Sequence, residues 1–282
     1  ADRMADRFPA DAAAIRRHLD AVQRIGDQLE QLGRTRSLGD KLLLPWRLRT
    51  LISHLPLSLS RMLDRHGVKD PVARAILSIQ AGDHAMTPRR APAILHSTVQ
   101  HHYFNGAWYP QGGGFAIPRA FHRALKRAGG ELLLSTRVER ILLEPGSRRV
   151  IGVKLGDGRE IRCKRIVSNA DPAVTFGRLI GREHLPAKLS KKLDRTTWST
   201  SALSLFLAVD MDVRAAGLDS GNLWYSRTPD IDGMYSPPQD RVVDPRAGIP
   251  GLFLTTTTLK DPTKAAKNGH HTMESFAFVD WR

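Results

Sequence analysis

Tyr109-Pro110-Gln111-Gly112-Gly113-Gly114 opens, and Ile166-Val167-Ser168-Asn169-Ala170 closes, the stretch whose reading decides the fold. A predicted strand, about His102 to Tyr109, runs into the three glycines. After them Ile117, Phe121, Leu125 and Ala128 recur at the three-to-four-residue spacing of one helical face. Gly129-Gly130 ends that helix, because glycine takes the left-handed cap conformation at little steric cost. Glu131 to Ser135 reads as a strand, and three more follow: Val138 to Leu143, Val150 to Leu155 and Glu160 to Cys163. Pro145-Gly146-Ser147 separates the first two and Gly156-Asp157-Gly158 makes a tight hairpin between the second and third, so the three form a β-meander. Ile166 to Ala170 is a short apolar strand ending in small residues before Asp171-Pro172 breaks it.

On the amino-terminal side the pattern is helical. Ile15, Leu19, Val22, Ile25, Leu29 and Leu32 trace one face of a long helix. In Lys41 to Arg65, Pro45 and Pro56 are placed to begin two short helices, and Asp70-Pro71 opens another that runs to about Gln80. On the carboxyl-terminal side Ala202 to Val209, Asn222 to Tyr225, Gly251 to Thr257 and Thr272 to Val279 read as strands. Pro229, Pro237, Pro238, Pro245 and Pro250 mark a long irregular connection among them. Helices early and strands late predict an α/β layout with a second, substrate-facing sheet.

Charge and composition narrow the function classes. The chain has 43 Lys and Arg against 28 Asp and Glu, a net charge of +15, which favours anionic surfaces. The cations are scattered rather than gathered in an arm, which weighs lipid or cofactor contact above nucleic acid. Leu48, Leu51, Ile52, Leu55, Leu59, Met62 and Leu63 stand beside Arg47, Arg49, Arg61 and Arg65; the pattern could lie in a membrane interface, but amphipathic helices of this kind more often pack as a helical cap on the protein. No apolar run reaches the roughly 18 to 20 residues of a spanning helix. The single cysteine, Cys163, excludes an internal disulfide and suits a reducing, cytoplasmic setting, with association at the membrane peripheral. The ends, Ala1-Asp2-Arg3-Met4 and Trp281-Arg282, read as cut from a longer chain.

Taken by motif alone, the chemistry is sparse. Gly112-Gly113-Gly114 could form a nest of N–H groups for a phosphate, or a flexible turn; it is neither a Walker A loop nor a G-x-G-x-x-G turn. Ser168-Asn169-Ala170 stands where ligands of open α/β sheets sit, and equally where Asp171 would cap a helix. His101-His102 and His270-His271 lack zinc-binding spacing, and no metal is expected. Asp83-His84 is either an acid/base pair or a solvated loop pair.

Taken together, Tyr109 to Gly113, Gly129-Gly130, Thr136, Val138, Gly152 to Glu160 and Ile166 to Ala170 resemble the carotenoid desaturases and isomerases, with retinol saturases as relatives, in order and spacing over Tyr109 to Phe176. Gly269-His270-His271-Thr272 extends the likeness more weakly. The resemblance implies an α/β, two-domain, amine-oxidase-like fold that binds FAD. Residues 109–176 would be part of the FAD domain, with its β-meander and parallel-sheet strands. Residues 1–108 would be a helical part, and 177–282 a mixed-sheet part, of a substrate domain.

The resemblance also implies site residues. The backbone of Val138 would contact adenine, Ser168, Asn169 and Ala170 would lie along the adenosine, and Gly112 and Gly113 would approach the flavin. Tyr109, Gln111 and Gly114 would border a substrate tunnel. The family's pyrophosphate turn and closing segment do not occur here, so this piece is expected to be inactive alone and the complete protein to be the enzyme. That enzyme would move a hydride between flavin and a polyene or isoprenoid lipid by desaturation, isomerisation or saturation. The alternatives are a flavin amine or porphyrinogen oxidase on the same scaffold, and a noncatalytic basic protein that docks on membranes.

Overall fold

The computed structural model describes residues 1–34, 38–235, 246, 248–264 and 269–279. The chain divides into two compact units, 1–117 with 199–282, and 118–198. The breaks fall at 117/118 and 198/199 rather than at the expected 108/109 and 176/177. The loop after Tyr109 is bonded to Asp261 of the first unit, and the segment after Phe176 continues the second.

In the first unit the helices are α1 (Asp2–Arg7), α2 (Ala12–Arg34), α3 (Leu38–Arg47), α4 (Arg49–His54), α5 (Leu59–His66), α6 (Pro71–Ser78) and α7 (Ala93–Phe104). Helix α2 turns the expected face inward: Ile15, Val22 and Ile25 are fully buried, together with His18, which shares that face. Ser58 caps α5 through the Arg61 N–H, and Asp70 caps α6 with Pro71 in its first turn, where a missing N–H costs nothing. Pro45 lies inside α3 rather than at a helix start, and Pro56 sits between α4 and α5, ahead of the Ser58 cap. The strand expected at His102 to Tyr109 is the end of α7 followed by irregular chain. Ser97 and His101 are buried one turn apart, a helical spacing that the aromatic run His102-Tyr103-Phe104 obscures.

Strands β4 (Ser201–Val209), β5 (Asn222–Ser226), β6 (Gly251–Thr256) and β7 (His271–Val279), each within a residue or so of the expected strand, form an antiparallel sheet in the order β4-β7-β6-β5. Its two faces differ in what they meet. Trp224, Phe253, Phe276 and Phe278 interlock on one face, in contact with Tyr235, and join the core of Ile15, Leu59, Leu63, Ile231 and Met234. By the two-residue period and the register, Leu203, Leu205, Leu207, Leu223 and Tyr225 lie on the other face, and all five are exposed. Val213 and Leu259 cover one end of that face, at Met273 and Leu254. Pro229 and Pro250 flank the connection before β6, whereas Pro237, Pro238 and Pro245 lie outside the described residues.

The second unit carries most of α8 (Ala116–Arg127), the meander β1 (Val138–Leu143), β2 (Val150–Leu155) and β3 (Glu160–Arg162), a π-helical segment Ala173–Gly181, and α9 (Ala187–Asp194). Gly129 (φ +78°) closes α8, and the Gly130 N–H returns to the Leu125 carbonyl at 3.0 Å, as the paired glycines predict. Gly152 is required by close packing: a Cβ there would stand 2.4 Å from the Ile161 carbonyl oxygen on β3. The meander agrees with the sequence almost residue for residue. Glu131 to Ser135 and Ile166 to Ala170, however, are not strands, and every pairing among the described residues is antiparallel rather than parallel. Among the described residues neither segment has a neighbouring strand to pair with, and an extended apolar segment becomes a strand only through one. Leu134 and Val167 are accordingly exposed, Val167 at 99%.

Candidate functional site

In the first unit, Pro110 to Gly113 forms a tight turn. The Gly113 N–H reaches the Pro110 carbonyl at 3.0 Å, and Gly112 (φ +89°) occupies the position that only glycine takes without strain. The Gly112 N–H points not to open solvent but to Oδ2 of Asp261, at 2.6 Å. Oδ1 of the same carboxylate accepts from the Thr263 N–H at 3.2 Å and the Thr263 hydroxyl at 2.6 Å. The Thr263 hydroxyl, then the amides of Gly112, Thr263 and Gly113, hold the Asp261 carboxyl below the usual range. The next residue back, Lys260, sets its ammonium 5.6 Å from the centroid of the Tyr109 ring and donates to Asn222; burial lowers its pKa. The Gly112 N–H, a candidate phosphate donor, is therefore taken by a carboxylate of this chain, and the Gly113 N–H closes the turn. Tyr109, Gln111 and Gly114 lie exposed around it.

In the second unit, Val138 opens β1 opposite Leu155. The Arg137 carbonyl accepts from Gly156 N–H, and the Leu155 N–H is spent on the Arg159 carbonyl. Antiparallel alternation therefore turns the N–H and C=O of Val138 to the far side of β1, the outer edge of the β1-β2-β3 sheet. A cavity of about 370 Å³ lies there, lined by Val138, Arg137, Glu139, Arg140, Lys154 and Arg178. The Ser168 hydroxyl is engaged within its own turn, 2.7 Å from the Thr175 hydroxyl, and Thr175 also donates to the Ala170 carbonyl. Asp171 accepts from the Ala173 and Val174 N–H groups and caps the segment that follows. Asn169 and Ala170 are exposed. The candidate residues thus form two groups, Tyr109 to Gly114 in one unit and Val138 with Ser168 to Ala170 in the other.

The histidines resolve differently from either expected reading of Asp83-His84. His84 Nε2 pairs with His96 Nδ1 at 3.2 Å instead, and burial raises the Asp83 carboxyl. His18, His54 and His66 form a buried chain, His54 Nδ1 at 2.7 Å from the Thr50 carbonyl, His54 Nε2 at 3.2 Å from His66 Nε2, and His66 Nδ1 at 3.2 Å from His18 Nδ1. A carbonyl only accepts, so the proton of His54 is on Nδ1, and each following contact is fixed in turn. His66 donates from Nε2, His18 donates from Nδ1, and the His18 Nε2 lone pair is left buried without a partner. Among the described residues no group of three His, Cys, Asp or Glu side chains is placed to hold a metal ion. Sequence reasoning missed Asp261 altogether. It stands 149 residues from Gly112, and no local pattern marks it.

The family model described as flavin containing amine oxidoreductase matches residues 7–262. All-trans-retinol 13,14-reductase of Danio rerio is 30% identical over 74% of this chain and 35% of its own length. Prolycopene isomerase 2, chloroplastic, of an Oncidium hybrid cultivar is 28% identical over 95% of this chain and 44% of its own. The chain thus spans less than half the length of these curated relatives. In fold it is similar to the crystal structure of an oxidoreductase from Methanosarcina mazei, with a TM-score of 0.57 and 21% identity over 86% of this chain and 53% of that one. With a match that runs from α1 past Asp261, through both units, the chain belongs to the flavin containing amine oxidoreductase family.

Proposed function

We propose that the complete protein is an FAD-dependent oxidoreductase that moves a hydride between its flavin and a C–H position of a polyene or related isoprenoid lipid. The observation that carries the substrate class is the exposed leucine face of the β4-β7-β6-β5 sheet, where Leu203, Leu205, Leu207 and Leu223 make a wide apolar floor. An exposed apolar patch of that kind marks a surface that meets something apolar. The curated relatives, named for retinol and prolycopene, agree in substrate chemistry.

The residues present fit the adenine end of FAD. Val138 offers a backbone donor and acceptor side by side at an open sheet edge, and Arg137, Arg140, Lys154 and Arg178 line the adjoining cavity with positive charge. Asn169 and Ala170 are exposed and would lie along the adenosine, whereas the hydroxyl of Ser168 is already engaged and serves the turn. Gly112 and Gly113 would border the flavin through their Cα atoms rather than through free N–H groups, since Asp261 holds the amide of Gly112. Hydride chemistry would be supplied by the bound flavin. The chain's own residues seat the apolar substrate and keep water from it.

Peripheral contact with anionic membranes belongs to the same reading. Leu48, Leu51, Leu59, Met62 and Leu63 are buried, as in a packed cap, but Leu43, Trp46, Ile52 and Leu55 stay exposed beside Arg47 and Arg49. Among the described residues no helix is long and apolar enough to cross a membrane.

The purified complete protein is expected to be yellow, to release FAD on denaturation, and to turn over a polyene presented in detergent. Leu205→Asp should raise KM by about 10- to 100-fold, the loss of roughly 1.5 to 3 kcal/mol of apolar contact. A colourless protein that does not take up FAD would refute the cofactor reading. An unchanged KM would remove the sheet face from the substrate path.

A further inference from the structure

We propose that Lys260 and Asp261 are positioning residues that hold the Tyr109 to Gly113 turn in the shape needed to border flavin and substrate. The proposal rests on the function proposed above. The two residues are neighbours at the end of the short helix Thr257–Lys260, directly after β6, and each grips one end of the same turn. Lys260 lies over the ring of Tyr109, at the turn's start, an attraction between a cation and the face of an aromatic ring. Asp261 accepts the Gly112 N–H, at the turn's far end.

Three features make this a built contact. Asp261 is 4% exposed, and Gly112, Thr263 N–H and the Thr263 hydroxyl all donate to its two oxygens. Hydrogen bonds to an ionised acceptor are stronger and more directional than neutral ones. The turn itself carries two consecutive glycines at positive φ, +89° at Gly112 and +76° at Gly113, so its own backbone resists few alternative shapes. Without an outside anchor such a turn would sample many conformations; the carboxylate selects one. Lys260 is tied in place by Asn222 of β5, which connects the anchor to the sheet whose other residues offer the apolar face.

The test uses the complete flavoprotein and two variants, Asp261→Asn and Lys260→Met. Asn keeps the shape but must turn an NH₂ toward either Gly112 or Thr263, both of which are donors. Hydrogen exchange of the 109–114 segment, which needs no activity, is expected to quicken at least tenfold in Asp261→Asn, with no change in α2. In the same variant kcat should fall at least tenfold while KM stays within threefold, and Asp261→Glu should recover part of the loss. Lys260→Met should quicken exchange at Tyr109 more than at Gly113. Unchanged exchange in both variants would overturn the anchor. Quickened exchange with unaltered kcat would overturn the positioning role. Loss of flavin or turnover in the unmodified protein would instead refute the function itself, and that control is measured first.

Discussion

Lowering the pH from 7 to about 4.5 is expected to withdraw about 5 kcal/mol of stability from the first unit. His18 and His96 are fully buried, and burial pushes the first down to about 3 and the second to about 4. Around them stand His66, His54 and His84, while Arg17 and Arg65 face His66 from α2 and α5. An unfolded histidine takes its proton near pH 6.5. Below that value the unfolded chain binds protons which the folded chain refuses, so stability falls with pH and levels off only near the folded values. Each pH unit costs about 1.4 kcal/mol per ring, and two rings over two units withdraw about 5 kcal/mol, against a typical net stability of about 5 to 15. Burial also lowers His66, to about 4, and that acts in the same direction. Urea titrations followed by far-UV circular dichroism at a series of pH values measure the effect. A midpoint that holds steady down to pH 4.5 would mean that the fold accepts charged rings at these positions.

Trp224→Ala is expected to cost about 3 to 5 kcal/mol, the usual range for deleting a packed aromatic side chain. The indole makes edge contacts with Phe253 and Phe276 at 5.0 and 5.6 Å between ring centroids and lies parallel to Phe278 at 6.4 Å. It also reaches over Gly82, where an added Cβ would stand 2.2 Å from the ring. The neighbour, Leu223, points to the opposite face and is exposed, so Leu223→Ala should change stability by no more than about 0.5 kcal/mol. Equal losses from the two substitutions would show that the sheet buries both faces. Thermal denaturation of the two variants decides between these outcomes.

By itself the sequence determined the elements whose cause is local. The meander was legible because its turns carry Pro145-Gly146 and Gly156-Asp157-Gly158, the end of α8 because of Gly129-Gly130, and β4 to β7 because short runs rich in apolar, aromatic and β-branched residues are set apart by prolines and polar stretches. The family was legible too, since glycines and small residues recur in order at fixed spacing. What only the tertiary structure decided depends on partners distant in sequence. Ile166 to Ala170 has the composition of a strand but, among the described residues, no neighbouring strand to bond, and His102 to Phe104 end a helix, α7, whose buried face is chosen by its packing. Gly112 to Gly114 read equally as a phosphate nest and as a flexible turn, and the choice is made by Asp261, far along the chain, which takes the Gly112 N–H. His18, His54 and His66 lie on separate helices and form a chain only when those helices pack. Turn chemistry and periodicity act within a few residues, whereas a hydrogen-bond partner or a covered face is chosen by the closure of long loops, and that choice leaves no local trace in the sequence.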